Sequence, residues 1–291
     1  MTALRSWLFV PADSERKLAK AGTSPADVLI LDLEDAVAES RKPAARRMAA
    51  DFIAAQAGSL AARLYVRINP LDSPFALHDL AGVVVPGLAG IMLPKLRSAA
   101  DLVRLSNMLD VLEARAGLAA GQVGIIPVAT ETPEALLQMG SLVGQAMPRL
   151  AAITWGAEDL SAAIGAVANR DEDGAYAPLY QWAGALCLCA AAAAGVPAID
   201  TLQVDFRDDA GLRVACRASR RRGYRGRIAI HPDQVAAINE AYSPSEAELA
   251  QARRIVDAFA AQPDAGALSL DGLMIDKPHL TQARRTLGLQ T

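Results

Sequence analysis

Gly124-Ile125-Ile126-Pro127-Val128-Ala129-Thr130-Glu131 is an apolar run that ends on a carboxylate. A second run, Leu150-Ala151-Ala152-Ile153-Thr154-Trp155-Gly156-Ala157-Glu158-Asp159, ends in the same way. Both are too short for a comfortable helix and read as buried strands with polar tips. An acid at the end of a buried strand is costly unless something pairs it. A hard divalent cation, which takes oxygen ligands, is the simplest partner. The two runs therefore suggest a metal enzyme with its site at one end of a sheet.

Working outward, strand-like runs fall at residues 6–11, 28–34, 63–69, 90–95, 123–131, 150–156, 198–205 and 227–231. Helix-like stretches separate them, among them 42–57, 99–116, 133–145, 178–194 and 209–222. Alternating strand and helix predicts a parallel sheet. Eight repeats fit an α/β protein of the closed (β/α)8 TIM-barrel type better than an open doubly wound sheet. No Gly-x-Gly-x-x-Gly follows the first strand, so a dinucleotide site is not expected. The barrel is expected over residues 1–240, with a C-terminal extension over 241–291. In that extension Ser243-Pro244-Ser245-Glu246 reads as a capped helix start. Asp271-Gly272 reads as the turn of a small hairpin, and a last helix covers 278–287. The extension is either a mobile lid or a packed terminal strap.

The 291 residues are 52% hydrophobic and carry a net charge of −3. That composition is globular and offers no dominant basic surface for nucleic acid. The one basic cluster, Arg217 to Arg222, reads as a solvated helix face. Cys187, Cys189 and Cys216 suggest no disulfide framework and read as small buried hydrophobes. The N-terminus lacks a signal-peptide pattern, which leaves a cytoplasmic location as the default. Residues 182–199 are apolar but Ala-rich and broken by Gly184, Gly195 and Pro197. They read as a buried helix, not a membrane span.

Active sites of such barrels sit at the C-terminal ends of the strands. Those ends carry Asp32, Glu34, Asp35, Arg67, Asn69, Lys95, Glu131, Glu158, Asp159, Asp205 and His231. Glu131 and Asp159 are candidates for Mg²⁺, with water and substrate oxygens completing the shell. Arg67 can fork onto a substrate carboxylate or an enolate oxygen. That set suits carbon–carbon bond chemistry next to a carbonyl. With only three histidines and no Cys-rich set, zinc is not expected. His231 reads as a hydrogen-bonding residue of the barrel mouth. Lys95 is positioned for a Schiff base, yet the carboxylate pair favours a metal-dependent route.

These residues occur within motifs that run almost from end to end. They are Leu8-Phe9-Val10-Pro11, Leu31-Asp32-Leu33-Glu34-Asp35-Ala36-Val37, Val66-Arg67-Ile68-Asn69, Leu93-Pro94-Lys95, Thr130-Glu131-Thr132, Gly156-Ala157-Glu158-Asp159-Leu160, Ala198-Ile199-Asp200-Thr201, Ile230-His231-Pro232 and Met274-Ile275-Asp276-Lys277-Pro278. In this order and spacing the chain resembles the citrate lyase β-subunit-like proteins of the HpcH/HpaI aldolase and malyl-CoA lyase group. The resemblance implies a Mg²⁺-dependent enzyme that cleaves or forms a 3-hydroxyacyl-CoA such as malyl-, citramalyl- or citryl-CoA. It implies Glu131 and Asp159, not Glu158, as metal ligands and Arg67 as the substrate-carboxylate and oxyanion contact. Glu34 and Asp35 are implied as supporting carboxylates. Glu158 and the backbone of Ile230 and His231 are expected on the substrate wall. Phe9, Arg16, Lys20, Arg41 and Lys42 fall where relatives hold a coenzyme A or phosphopantetheine arm. Asp276 matches an acidic lid residue that reaches a neighbouring subunit's site and handles the proton, which implies a homo-oligomer, commonly a trimer or a multiple of one. The partners expected are an acyl-CoA and a 2-keto acid, with no nucleic acid and no membrane.

One departure stands out. Relatives usually carry Pro-Gly-Ser-Asn after the first strand, where this chain reads Pro11-Ala12-Asp13-Ser14. Losing the Gly restricts the turn, and Asp13 adds negative charge near the expected phosphate site. Three other outcomes remain open: a thioester hydrolase on the same acyl-CoA, an aldolase indifferent to CoA, and a non-catalytic subunit of a lyase complex.

Overall fold

The computed structural model describes residues 4–289. They divide into two compact units, Leu4–Tyr242 and a second unit that begins at Ser243.

The first unit is an eight-stranded parallel barrel. Its strands are β1 (Ser6–Pro11), β2 (Val28–Asp32), β3 (Arg63–Arg67), β4 (Leu88–Leu93), β5 (Gly124–Pro127), β6 (Ile153–Thr154), β7 (Ala198–Asp200) and β8 (Gly226–Ala229). They pair in the order β5-β4-β3-β2-β1-β8-β7-β6. The ring closes between β5 and β6 through single bridges, Ile125 with Leu150 and Val128 with Thr154. Around it lie α1 (Glu15–Ala21), α2 (Lys42–Gln56), α3 (Ala76–Val83), α4 (Ala99–Ala116), α5 (Pro133–Leu137), α6 (Glu158–Ile164), α7 (Pro178–Ala193), α8 (Asp209–Arg222) and α9 (Gln234–Tyr242).

Strand side chains alternate between two faces, and the core divides accordingly. Trp7, Val28, Ile30, Tyr65, Met92, Ile126, Val128, Ala152, Ile199 and Ile228 form one cluster, which fills the barrel interior. Their sequence neighbours, such as Leu8, Leu29, Leu31, Val66, Ile91, Ile125 and Ile153, join the cluster under the helices. Each large side chain so buried contributes about 1.5–3 kcal/mol. The interior is tight around Tyr65: a Cβ on Gly90 would fall 2.2 Å from its ring, so only glycine fits there. The same alternation puts Asp32, Arg67 and Thr154 on the inner face at the strand ends, two residues beyond Ile30, Tyr65 and Ala152. Arg149 lies near the opposite end of β5. Its buried guanidinium donates to both carboxylate oxygens of Glu113 at 2.6 Å and to the Val123 carbonyl at 3.0 Å, tying α4 to the start of β5.

Several sequence expectations change in detail. β5 stops at Pro127, β6 has two residues and β7 has three. The polar tips beyond them leave the ladder to bond elsewhere. Asp205 is one case: it lies in an exposed loop where its carbonyl accepts from Gln203. The helix expected over 133–145 ends at Leu137 and continues as a 3-10 turn, Met139–Leu142, with Gly140 inside it. Cys187 and Cys216 are buried, but Cys189 is exposed, because positions i and i+2 of α7 point to different faces. The basic run at the end of α8 is largely exposed. Among the described residues, no helix is long and apolar enough to cross a membrane.

The second unit holds α10 (Glu246–Ala261), the antiparallel hairpin β9 (Ala267–Leu270) and β10 (Leu273–Asp276), and α11 (Lys277–Thr286). Ser245 and Glu248 form the expected capping box at α10. Phe259, Ile275 and Leu280 make its small core.

Candidate active site

Parallel register sets Asp32 beside Arg67 on neighbouring strands. The two side chains meet as a bidentate pair, Nε to Oδ1 at 2.6 Å and Nη2 to Oδ2 at 2.7 Å. Asp32 also accepts from the backbone N–H groups of Glu34 and Ala36, which fixes the turn after β2. The Arg67 guanidinium lies 4.5 Å from the Phe9 ring centroid, and its Nη1 is 3.1 Å from Oε2 of Glu34. That last contact is an ion pair without hydrogen-bond alignment, because Oε2 of Glu34 has no hydrogen-bond partner. Burial opposes the arginine's charge, but the Asp32 hydrogen bonds and the charges of Asp32, Glu34 and Glu131 outweigh it, so it is always a cation.

Lys95, two residues past β4, organises the carboxylates. Its ammonium lies 2.5 Å from Glu34, 3.4 Å from Asp35 and 3.3 Å from Asp159. Its backbone N–H donates to Oε2 of Glu131 at 2.7 Å. Burial works against the ammonium, but the hydrogen bond to Glu34 and the charges of Glu34, Asp159 and Asp35 hold its pKa above the usual lysine range. A Schiff-base nucleophile needs the free amine, so this arrangement argues against that role.

Glu131 is buried, and its carboxyl is pushed up to about 8, first by burial and then by the charges of Asp159 and Glu34. The Glu34 carboxyl is also raised, chiefly by burial. A methyl group on Gly156 would come within 3.2 Å of Cγ and 3.3 Å of Oε1 of Glu131, so the glycine makes room for this carboxylate. Thr130 and Gly156 exchange hydrogen bonds through the Thr130 hydroxyl, at 3.0 and 3.1 Å, holding the two loops together.

A cavity of about 230 Å³ opens over these groups. Arg67, Asp35, Glu131, Glu158, Asp159, Thr154 and Thr201 give it polar side chains, and Phe9, Met92, Val128, Trp155, Leu202 and Ile228 line it as well. Trp155 is fixed by its indole N–H on Asp200 at 2.8 Å, and Asp200 pairs with buried Arg227. From the loop after α6, Tyr176 packs edge-on against Trp155 at 5.2 Å, and Asn169 reaches Glu158 at 3.5 Å.

The donor set fits a hard divalent cation. Glu131 and Asp159 line the same cavity, and the charge of Asp159 is one of the causes that raise the buried Glu131 carboxyl. Among the described residues no group of three or more His, Cys, Asp or Glu is arranged for a metal. Glu131 and Asp159 would therefore be the protein's share of the shell, and water and substrate oxygens the rest.

Other sequence candidates lie differently. Ile230 and His231 do not line the cavity: their N–H groups both donate to Oε1 of Gln234, at 2.8 and 3.2 Å. The His231 ring stacks on Phe206 at 4.4 Å. Lys42 is buried, and its ammonium donates to the carbonyls of Leu33 and Glu34 at 2.8 and 2.9 Å, so it supports the β2 loop and is not presented to a phosphate. Arg16 and Lys20 on α1 are exposed, and Arg41 donates to the Asp13 carbonyl at 3.1 Å. Asp276 belongs to the second unit, where it caps α11 with His279. Sequence reasoning counted Asp32 and Lys95 among the strand ends, but gave Asp32 no role and weighed Lys95 only as a Schiff-base candidate. Asp32 could have been found from its position directly opposite Arg67 in an in-register parallel pair.

Residues 5–232 match the family model described as HpcH/HpaI aldolase/citrate lyase. The chain is 33% identical over 286 residues to a (3S)-malyl-CoA thioesterase of Cereibacter sphaeroides, covering 98% of this chain and 93% of that one. It resembles the crystal structure of CitE from Mycobacterium tuberculosis in complex with magnesium, acetoacetate and coenzyme A. That match has a TM-score of 0.79 and 34% identity, over 99% of this chain and 98% of the other. A citrate lyase β subunit from M. tuberculosis complexed with oxaloacetate and magnesium matches with a TM-score of 0.70 and 33% identity, over 84% and 98%. With the barrel, the strand-end carboxylates and the end-to-end match in agreement, the chain belongs to the HpcH/HpaI aldolase/citrate lyase family.

Proposed function

We propose that the protein is a Mg²⁺-dependent carbon–carbon lyase that cleaves, or in reverse forms, a 3-hydroxyacyl-CoA, giving a shorter acyl-CoA and a 2-keto acid. The observation that carries this reading is the buried Glu131 carboxyl, raised by burial and then by Asp159, in the same cavity as Asp159 and the Arg67 guanidinium. When bound by Glu131 and Asp159, Mg²⁺ supplies a Lewis acid for the keto-acid oxygens. Arg67 pairs with the substrate carboxylate and stabilises negative charge that develops on oxygen. Glu34 and Asp35, tethered by Lys95, keep the arginine and nearby water oriented.

In the cleavage direction a base takes the proton of the 3-hydroxyl, and the carbon that bears it becomes a carbonyl. The C2–C3 bond breaks, and its electron pair passes to C2 as a thioester enolate. Asp276 of a neighbouring subunit, or a water, returns a proton to C2. Phe9, Arg16, Lys20 and Arg41 are assigned to the coenzyme A arm, and the assembly to a homo-oligomer built on trimers. A thioesterase outcome at the same site is the second reading, favoured by the similarity to a malyl-CoA thioesterase.

The test is product analysis with malyl-, citramalyl- and citryl-CoA, alongside calorimetric Mg²⁺ titration of Glu131→Ala and Asp159→Ala. A keto acid with a shorter acyl-CoA supports the lyase, whereas free CoA with intact hydroxy acid supports the thioesterase. Both variants should remain folded and lose Mg²⁺ affinity by about 100-fold or more; ordinary affinity in both would sink the assignment.

A further inference from the structure

β6 is two residues long, and its ladder with β7 ends at Thr154. Residues 155–159 then carry the chain from the barrel wall to Asp159 in the first turn of α6. This stretch is pinned from both sides. On one, Gly156 exchanges hydrogen bonds with the Thr130 hydroxyl. On the other, the Trp155 indole donates to Oδ1 of Asp200 at 2.8 Å, and Nη1 of Arg227 donates to Oδ2 at 2.7 Å. Resting on the assignment of Mg²⁺ to Glu131 and Asp159, we propose that Asp200, anchored by Arg227, is a positioning residue. It fixes the Trp155 ring and, through it, the peptide that carries Asp159.

A buried tryptophan needs a partner for its N–H, but Asp200 does more than satisfy it. Trp155, Asp200 and Arg227 are all buried. A buried ion pair adds little to stability by itself, because desolvation offsets the attraction. What this pair supplies is an acceptor held in one orientation. Oδ1 of Asp200 also takes the Thr201 N–H at 2.9 Å, so both oxygens are committed. Each of these partners is a donor, and an ionised carboxylate only accepts. Asparagine would turn an N–H group toward the indole or toward Arg227. The ring so held lines the cavity, with Tyr176 edge-on at 5.2 Å and Gly184 of α7 packed against it. A shift of Trp155 carries Gly156 with it, and a Cβ on Gly156 would already fall 3.2 Å from Cγ of Glu131. One ring thus sets the approach of the wall to Glu131 and the start of the helix that bears Asp159.

The experiment is calorimetric Mg²⁺ titration of the full-length protein carrying Asp200→Asn, Trp155→Phe or both. Indole N–H signals of the same proteins, labelled with ¹⁵N-tryptophan, report on the ring. Asp200→Asn should shift the Trp155 signal, leave those of Trp7 and Trp182 in place, and weaken Mg²⁺ binding roughly 3- to 10-fold. Trp155→Phe removes the N–H but leaves the Asp200–Arg227 pair intact, and should weaken Mg²⁺ by a similar factor. The double variant should bind Mg²⁺ no more weakly than Trp155→Phe alone, because Asp200 acts through that ring. A merely structural role would lower the melting temperature without this pattern. Should Asp200→Asn not fold, the phenylalanine variant carries the test. Unchanged Mg²⁺ affinity in Trp155→Phe, or additive losses in the double variant, would overturn this inference and leave the metal assignment standing. Failure of the unsubstituted protein to bind Mg²⁺ would overturn both.

Discussion

The backbone N–H of Lys95 donates to Oε2 of Glu131 at 2.7 Å from a left-handed conformation, φ +50°. Such a backbone costs a side-chain-bearing residue about 1–2 kcal/mol, and it persists because the residue is tied down on both sides. Its N–H holds one carboxylate and its ammonium touches three more, Glu34, Asp35 and Asp159. The strand-end acids are thus arranged around one lysine.

Gly156→Ala tests how closely Glu131 must be placed. The added methyl meets Cγ and Oε1 of Glu131 at 3.2 and 3.3 Å, and this glycine has no left-handed φ to strain. The expected result is a loss of Mg²⁺ affinity of about 10-fold with little change in melting temperature. Calorimetry and thermal unfolding of the same sample separate the two effects.

The raised Glu131 carboxyl predicts a pH-dependent response to Mg²⁺. Its folded-state pKa of about 8 lies above the ordinary carboxylate value, so its contribution to stability is full below that ordinary value and is lost as pH rises through about 8. A bound cation relieves the repulsion in the ionised form. Mg²⁺ should therefore raise the melting temperature more at about pH 8.5 than at about pH 5.5, and should release protons on binding near neutrality. Equal stabilisation at both pH values would contradict the placement of the ion beside Glu131.

Lys42→Met should act on stability before it acts on substrate. Removing the ammonium leaves the Leu33 and Glu34 carbonyls without their donor, a loss of about 1–3 kcal/mol. Arg16→Met and Lys20→Met, on exposed α1, should leave stability unchanged and raise KM for the acyl-CoA. Urea unfolding and steady-state kinetics on the three variants distinguish a loop support from a phosphate contact.

Asp276→Asn should lower turnover while Mg²⁺ and keto-acid binding are retained. The hydrogen bond from His279 holds the Asp276 carboxyl below its usual range, so at neutral pH it is a carboxylate that takes up a proton before it can return one to C2. Asparagine still caps a helix, which keeps α11 in place. Turnover equal to the unsubstituted protein would remove Asp276 from the chemistry.

The barrel was legible because each strand announces itself locally: short β-branched runs alternate with helical stretches, and the inner-face parity carries Asp32, Arg67 and Thr154 to the mouth. Strand ends were less legible, since β6 and β7 stop where backbone groups find loop partners that no local pattern records. Lys42 was expected at the coenzyme A arm, yet its ammonium turns inward to two carbonyls. Ile230 and His231 looked like part of the wall because they follow β8, but the Gln234 amide takes their N–H groups. Lys95 was visible as a strand tip, while its grip on Glu131 depends on a backbone angle that residue type alone does not disclose.

The β5–β6 junction has a mechanical consequence. β1 and β2 share a continuous five-residue register, whereas across this seam there are two isolated bridges and three backbone bonds, Ile125 to Arg149, Ala151 to Ile125 and Ala129 to Thr154. Glu131 leaves the ring on one side of the seam and Asp159 on the other. An ion shared by both would act as a clasp across this seam, making loading of the site and closure of the ring one equilibrium. Amide exchange at Ala129 and Ala151, slowed by the ion far more than at Leu29 or Leu31, would be the signature of a hoop held shut by its own cargo.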